Sequence, residues 1–502
     1  MTSTRTGHTG LALLLLATAF TVGDWFPAPR AHAVPDTIFR AVSVDAASLA
    51  AGAARPAAGG TLSAAADAVT APRVVCPGIR FTSVAISWEQ PSGRSPHVFL
   101  RAGETTGTLR REFEVHADHG PDPGTAEAAN ARRATDPFWV ESARCVAFRM
   151  EVFSGNEIRD LRAEFVNTSG TAGVPTAWRQ TPGASVEGPG VAGATANAPY
   201  WITRAGWGAD ESLRNCEPSY AEKLKVAFVH HTATENNYAK DKADDIMRSI
   251  YYFHTQTNGW CDIAYNFLVD RFGRVYIGRY GGPAQNVIGA AQQGFNTGAV
   301  SVSGIGTYST TTPSTSLVYS IKKTLAWRLD VAHLPPKGWA WMVSGGGPNT
   351  RYPAGKGVTL NLITSHRATG YTACPGDKLQ ANLAGIRQGA HDIGLPKLWR
   401  FKQSPEGGVT PGLDTVHYTA TASESLNWVV TITSPTTGLP VRTITAKGLT
   451  LDVEWDGMNG AFPAAAGDYP VKVTATNAAG GIARAATLVT TVLDPVNELP
   501  IP

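Results

Sequence analysis

Apolar positions along the chain keep two different periods, and each change of period marks a segment. From Val74 to about Asn167 the period is two: Phe113 and Val115 alternate in "REFEVHA", and Val146, Phe148, Met150 and Val152 alternate in "CVAFRMEVF". Strict alternation belongs to half-buried strands, so residues 74–168 are predicted to form a small β-sandwich. Between 200 and 400 strand-like and helix-like patterns take turns. "KVAFVHH" is a short apolar run and predicts a strand. "DDIMRSIYYFHTQ" sets Ile246, Ile250 and Phe253 on one helical face. "YNFLVDRFGRVYIGR" predicts a hairpin that turns at Gly273. "SLVYSIKKTLAWRLDVAH" keeps Leu317, Ile321, Leu325 and Leu329 in step, and "DKLQANLAGIRQGAHD" predicts a closing helix with Asp377 as its N-cap. This alternation predicts an α/β domain, a central mixed β-sheet flanked by helices. After about Ser404 the period of two returns, with Leu426, Trp428, Val430 and Ile432 in "LNWVVTIT" and then "DYPVKVTAT". The length and spacing of 404–494 fit an immunoglobulin-like β-sandwich.

The stretches between these segments carry no period. Residues 34–73 are rich in alanine and are expected to be a linker or a propeptide-like arm. Residues 169–199 are expected to be a second linker. That linker spells G-x-G-x-x-G at Gly188, Gly190 and Gly193, but no strand precedes it and no helix follows, so a phosphate-cradling turn has no support. Asn167-Thr168-Ser169 is a formal glycosylation sequon. At the start, Arg5 precedes the apolar run Leu11–Ala17, which is too short to span a bilayer, and Ala31-His32-Ala33 offers a small-x-small cleavage site. Residues 1–33 therefore read as a signal peptide. The mature protein is expected to be soluble and exported, starting near Val34, with no membrane contact after cleavage.

Length adds that 502 residues exceed one core, so two or three domains are expected. A net charge of +3 gives no electrostatic footprint for nucleic acid. Five cysteines in an exported chain permit disulfides. Grouped by position they pair as Cys76–Cys145 and Cys216–Cys261, leaving Cys374 as a free thiol or a metal ligand; the sequence by itself leaves other pairings open.

The hydrolase signatures H-E-x-x-H and G-x-S-x-G are absent, as are C-x-x-C and the P-loop. What remains is a scattered histidine and cysteine set. His230 and His231 end an apolar strand, His366 ends "TLNLITSH", and Cys374 follows in a loop. Catalytic zinc takes three such nitrogen and sulfur ligands and leaves a fourth place for water. Each residue also has a plainer alternative, a satisfied core imidazole or an inert thiol.

Five blocks in order carry a resemblance that favours the metal. They are "ITRAGWGADESLR", "VAFVHHTAT", "GWCDIAYNFLVDRFGRVYIGR", "GFNTGAVSVSGIG" and "SHRATGYTACPGDKL". Residues 200–400 thereby resemble the zinc-dependent N-acetylmuramoyl-L-alanine amidases of type 2, whose animal relatives are the peptidoglycan recognition proteins. The insert "SGGGPNTRYPAGKG" resembles the exported actinobacterial branch. The resemblance implies a Zn2+ cofactor held by His230, His366 and Cys374, with His231 a packing residue behind them. It implies hydrolysis of the amide between N-acetylmuramic acid and L-alanine. Zinc would activate water, and Tyr265 and Thr372 would donate hydrogen bonds to the oxyanion. The implied partner is peptidoglycan, both glycan strand and stem peptide, met by a monomer through His254, Trp260 and Asn296, with Thr297 beside them. Trp260 could instead pack beneath the sheet. Relatives that bind wall without cutting it lack the thiol, so Cys374 favours an enzyme over the alternative, a non-catalytic peptidoglycan-binding protein. One departure stands out: "GAAQQG" places Ala291 where relatives carry histidine. A Cys216–Cys261 bridge would tie the segment before His230 to the one leading to Tyr265. The first sandwich resembles modules that precede actinobacterial amidases, with Trp88 and Trp139 either filling its core or binding glycan. "VEWDGMNGAFPAAAGDYPVKVTA" resembles bacterial immunoglobulin-like modules, through Trp455, Gly457, Gly460, Gly467 and Tyr469.

Overall fold

Alternating residues in the first third of the chain bury one face of each strand, and two sheets result. In the computed structural model, which describes residues 37–91, 93–169 and 196–494, the larger sheet has seven strands and the smaller five. Phe81–Glu89 and Glu157–Asn167 lie at the centre of the larger sheet, with Phe138–Ala143 pairing Phe81–Glu89 on the outer side. Cys145–Val152 and His97–Gly103 lie at the centre of the smaller one, which ends on Phe113–Val115. Phe81, Val84, Ile86, Leu100, Phe148 and Phe165 form the shared core. A Cys76–Cys145 disulfide joins the smaller sheet's central strand to the segment before Phe81. The expected signal peptide at 1–33, the glycine motif at 188–193 and nearly all of the 169–199 linker lie outside the described residues.

The alanine-rich stretch departs from the expected linker. Ile38–Val44 pairs with Glu157–Asn167, and Ala54–Ala57, Thr61–Ala64, Ala68–Val69 and Arg73–Val75 are also strands of the two sheets. The physical reason is burial without bulk: Ala46, Leu49, Ala54, Leu62 and Ala64 enter the core while the backbone satisfies its hydrogen bonds on distant strands.

The central domain is built on a six-stranded mixed sheet. Its order is Trp201–Ile202, Val275–Ile277, Phe267–Val269, Ala299–Gly304, Val226–His231 and Ile363–Ser365. The hairpin expected at Gly273 forms, with φ of 83° at that glycine. Pleating sends alternate residues of Val226–His231 to opposite faces. Ala227 and Val229 meet the helices Thr315–Val331 and Leu383–Asp392, through Leu317, Ile321, Leu325 and Ile386. Val226 and Phe228 meet the hairpin Trp339–Val343 with Gly357–Asn361. A further core around the helix Ala243–Tyr252 gathers Ile246, Ile250, Trp207, Tyr265 and Ile305. Asp377 is not the N-cap it was expected to be; Gly376 takes that place, and the Asp377 carboxylate pairs with Arg367 at 2.7 Å instead.

The last segment starts at Leu398, before the expected 404, because Leu398–Ser404 pairs with Val416–Thr433. Its five long strands hydrogen-bond as one sheet, with a short pair at Met458–Asn459 and Phe462–Pro463. Against Pro440–Trp455 the register of Val416–Thr433 shifts between Thr421 and Leu426, while the other edge of Val416–Thr433 is shared by two strands. Leu398–Ser404 takes the first half and Gly467–Thr476 the second. Trp428, Trp455, Tyr418 and Tyr469 fill the core. Trp88 is buried in the first core, but Trp139 leaves it. Trp139 packs edge-on against Tyr238 of the central domain, ring centroids 6.3 Å apart. Among the described residues no helix is long and apolar enough to cross a membrane.

Candidate metal centre and its N-terminal cover

Two parallel neighbours in the sheet bring the imidazoles together. Val229 is in register with Ser365, so His230 and His366, the next residues, leave the same sheet edge side by side. Their ring centroids are 4.9 Å apart. The loop after His366 returns through Arg367, whose amide donates to the Cys374 carbonyl at 3.0 Å. Cys374 then sits under the His230 strand. Its Sγ accepts from the His231 amide at 3.3 Å and lies 3.7 Å from His230 Nδ1. Among the described residues Cys374 is the one free thiol, while Cys216 and Cys261 form a disulfide.

All three side chains are buried. Burial, reinforced by neighbouring imidazoles, holds His230 and His366 well below the usual histidine range and so keeps them neutral, the form that ligates metals. His230 Nε2 and His366 Nδ1 have no hydrogen-bond partner among the described residues. His231 is on the other face of its strand, where its Nδ1 accepts from the Tyr308 amide at 3.1 Å. Tyr265 closes one side, its ring 5.6 Å from that of His230. Burial, and then the nearby Asp136 and Cys374, push its phenol well above the usual tyrosine range, so it stays a hydrogen-bond donor. The Thr372 hydroxyl accepts from the Cys374 amide at 2.9 Å and so shapes the cysteine loop.

The first domain contributes to the same centre, which periodicity did not reveal. After the strand Phe113–Val115 the chain leaves its sheet as "HADHGPD" and enters the central domain. His119 comes to 4.7 Å from His366 and 5.6 Å from His230, measured between ring centroids. One donor atom from each of His119, His230, His366 and Cys374 lies within 4.8 Å of the others. His116, His231 and Cys374 form a second, smaller group. His119 Nδ1 faces the Asp136 carboxylate at 3.0 Å, and its Nε2 lies 3.4 Å from the Tyr265 hydroxyl. Burial alone would lower the pKa of His119, but Asp136, with Cys374 and Asp118, outweighs it and the net direction is upward. The signal in the sequence was the density of histidine and aspartate directly after an alternating strand.

The same segment lies over the residues expected to meet substrate. The Asn296 amide donates to the Gly120 carbonyl at 3.0 Å and to Asp122 at 2.7 Å. The Gly120 amide donates to the Ala290 carbonyl at 2.8 Å, next to Ala291. His254 and Trp260 stack on each other, centroids 4.7 Å apart, and both are buried. Of the expected substrate contacts, Asn296 is therefore covered by this segment and His254 is buried, while Trp260 faces the cavity beside it. The reason is a long-range insertion that helical and strand periods do not encode. Beside this cover a cavity of about 830 Å³ opens between the two domains, lined by Trp88, His119, Pro121, Trp260 and Gln293.

Buried neutral imidazoles and a thiol at the edge of a mixed sheet define an α/β domain with a candidate metal centre. Its likeness to known proteins falls on the same residues. A family model described as N-acetylmuramoyl-L-alanine amidase matches residues 220–377. Peptidoglycan-recognition protein SC2 of Drosophila melanogaster is 29% identical over 180 residues, 36% of this chain and 81% of that protein. Peptidoglycan recognition protein 4 of Mus musculus is 29% identical over 136 residues, 27% of this chain and 34% of that protein. Among solved structures, Drosophila PGRP-LB is 23% identical, with 37% of this chain and 92% of that one covered and a TM-score of 0.29.

Proposed function

We propose that the central domain is a zinc-dependent N-acetylmuramoyl-L-alanine amidase of an exported, wall-acting monomer, with peptidoglycan as substrate. The observation that carries the proposal is the convergence of Cys374 with His230 and His366 at one buried point. The donor set fits the metal: two nitrogens and a sulfur around tetrahedral zinc stand roughly 3.3–3.7 Å apart, and His230 Nδ1 to Cys374 Sγ is 3.7 Å. A bound zinc ion would supply Lewis-acid activation of water and of the amide carbonyl. The remaining work falls to the chain. Tyr265, kept protonated by burial, donates toward the carbonyl oxygen as charge develops there. Thr372 holds the Cys374 loop in place. His254 fixes the Ala264 amide through Nδ1 at 3.1 Å and so sets the backbone that presents Tyr265.

The N-terminal cover over Asn296 favours a second reading, a protein that recognises peptidoglycan without cutting it. Release of L-alanine amino groups from purified wall separates the two. The assay compares the intact chain with one whose residues 117–123 are replaced by glycine and serine, each with and without chelator. Amino groups freed by the uncovered chain and lost on chelation support the amidase. Wall binding without any release, in chains shown to contain zinc, overturns it. Zinc per chain in wild type and Cys374→Ser checks the ligand set independently of activity.

A further inference from the structure

The proposed three-ligand set leaves one place at the metal, and the structure puts a fourth donor beside it. We propose that His119, from the first domain, is a protein ligand of this centre, so that the N-terminal module holds the metal site closed. The inference rests on the reading of His230, His366 and Cys374 as ligands and goes beyond it, because His119 lies outside the segment that matches the amidase family.

Four observations converge. The donor atoms of His119, His230, His366 and Cys374 lie mutually within 4.8 Å, close enough for one tetrahedral ion to gather with small movements. The ring of His119 is oriented for ligation. Its Nδ1 faces Asp136 at 3.0 Å, so Nε2 is the nitrogen turned toward the group, where the Tyr265 hydroxyl stands 3.4 Å away, and a bound metal would take the place of the proton that this nitrogen otherwise holds. A carboxylate behind the outer nitrogen is the common arrangement of ligating histidines. The segment that carries His119 is anchored on both sides. Gly120 bonds Ala290 and Asn296, Asp122 accepts from the Gly294 amide at 2.7 Å, and the Ala117 carbonyl accepts from Asn349 at 3.2 Å. Asp136, in turn, is held by its own amide on the His116 carbonyl at 2.6 Å, so the positioning carboxylate and the ligand belong to one rigid unit.

The chemical consequence follows from coordination number. A zinc site with four protein ligands is closed, whereas hydrolysis needs one place for water. With His119 bound, the amidase is latent. Withdrawal of residues 116–122 removes the fourth ligand and uncovers Asn296 in one movement. His116 is not assigned as a ligand of this centre: it groups with His231 and Cys374, and not with the four mutually close donors of His119, His230, His366 and Cys374.

The test is spectroscopic and uses the full chain loaded with one equivalent of zinc or cobalt(II). X-ray absorption on the wild type should count three imidazole nitrogens and one sulfur, and azide should leave the cobalt d–d bands unchanged. His119→Ala should keep one metal per chain, lose one imidazole, gain a solvent oxygen and shift its bands with azide. His116→Ala should match wild type. Asp136→Asn should retain all four ligands but weaken metal binding by about 10- to 100-fold. Two imidazoles plus an oxygen in the wild type would overturn the assignment without any variant, so misfolding of His119→Ala cannot shield it. An unchanged His119→Ala shell, or a change in His116→Ala instead, would overturn it as well. A wild-type chain that binds no metal sinks the zinc reading itself and this inference with it. A chain that binds metal with only His230, His366 and Cys374 sinks this inference alone.

Discussion

Asp122 gives the sharpest test of how firmly the N-terminal segment is seated, because it needs no metal. Its Oδ1 accepts from the Asn296 amide group at 2.7 Å, the Gly294 amide at 2.7 Å and, at 3.4 Å, the Asn296 backbone. Hydrogen bonds to a charged acceptor contribute about 1.5–3 kcal/mol each, so the two short ones amount to roughly 3–6 kcal/mol. Burial works against them: it raises the Asp122 pKa even though these donors pull it down, so part of that gain is offset by desolvation. A net loss of about 2–3 kcal/mol is expected for Asp122→Ala. If the segment opens locally, this loss makes opening roughly 30- to 150-fold more frequent. Hydrogen exchange read by mass spectrometry on peptides spanning 116–124 measures it, with the Gly120 amide as the reporter because it bonds Ala290. Peptides from Phe81–Glu89, in the core of the same domain, serve as the internal reference. Asp122→Asn, which can still accept, should give a smaller acceleration. Unchanged exchange at 116–124 would refute the reasoning. Equal acceleration in both regions would refute it too, since the loss would then be global.

Trp139→Ala removes a fully buried ring from the contact between the first two domains and should cost about 3–5 kcal/mol, read as a lower urea midpoint. Because Trp139 packs on Tyr238, the same variant should also loosen the 116–124 segment, whereas a ring that served only the sandwich core would not. Replacing Cys216 and Cys261 by serine opens a loop of sequence separation 45 and should lower stability by about 4 kcal/mol, seen as a fall in Tm. Lys397 is buried and donates to the Ala390 carbonyl at 2.7 Å; desolvation lowers its pKa to about 8, against the pull of Asp330 and Asp392. Between that value and the unfolded 10.5 the unfolded chain holds a proton that the folded one lacks, so stability rises with pH, by on the order of 3 kcal/mol in all. Denaturant midpoints at pH 7 and pH 10 should show this rise in wild type and lose it in Lys397→Met.

Much of the centre is legible in the sequence. Spacing placed His230 and His366 at strand ends, and a pairing by position left Cys374 over. The amphipathic steps Leu317, Ile321, Leu325 and Leu329 gave a helix that is buried along that face. These features are local: they depend on residues within one turn, one strand or one loop, where period and covalent spacing already decide what can face a core. The alanine-rich arm and the sites of Asp122, Asp136 and His119 were not legible. Ala54 and Ala64 look like linker residues until Glu157–Asn167 supplies a strand about one hundred residues away for that region to pair with. His119 looks like a loop histidine until the packing of one domain on another carries it to His366. By itself, then, the sequence determined most of the central domain's elements and put His230 and His366 at strand ends and Cys374 in a loop. Only the tertiary structure decided what covers that set, because pairing and docking depend on surfaces buried jointly by segments far apart in the chain, and no local pattern records their partner.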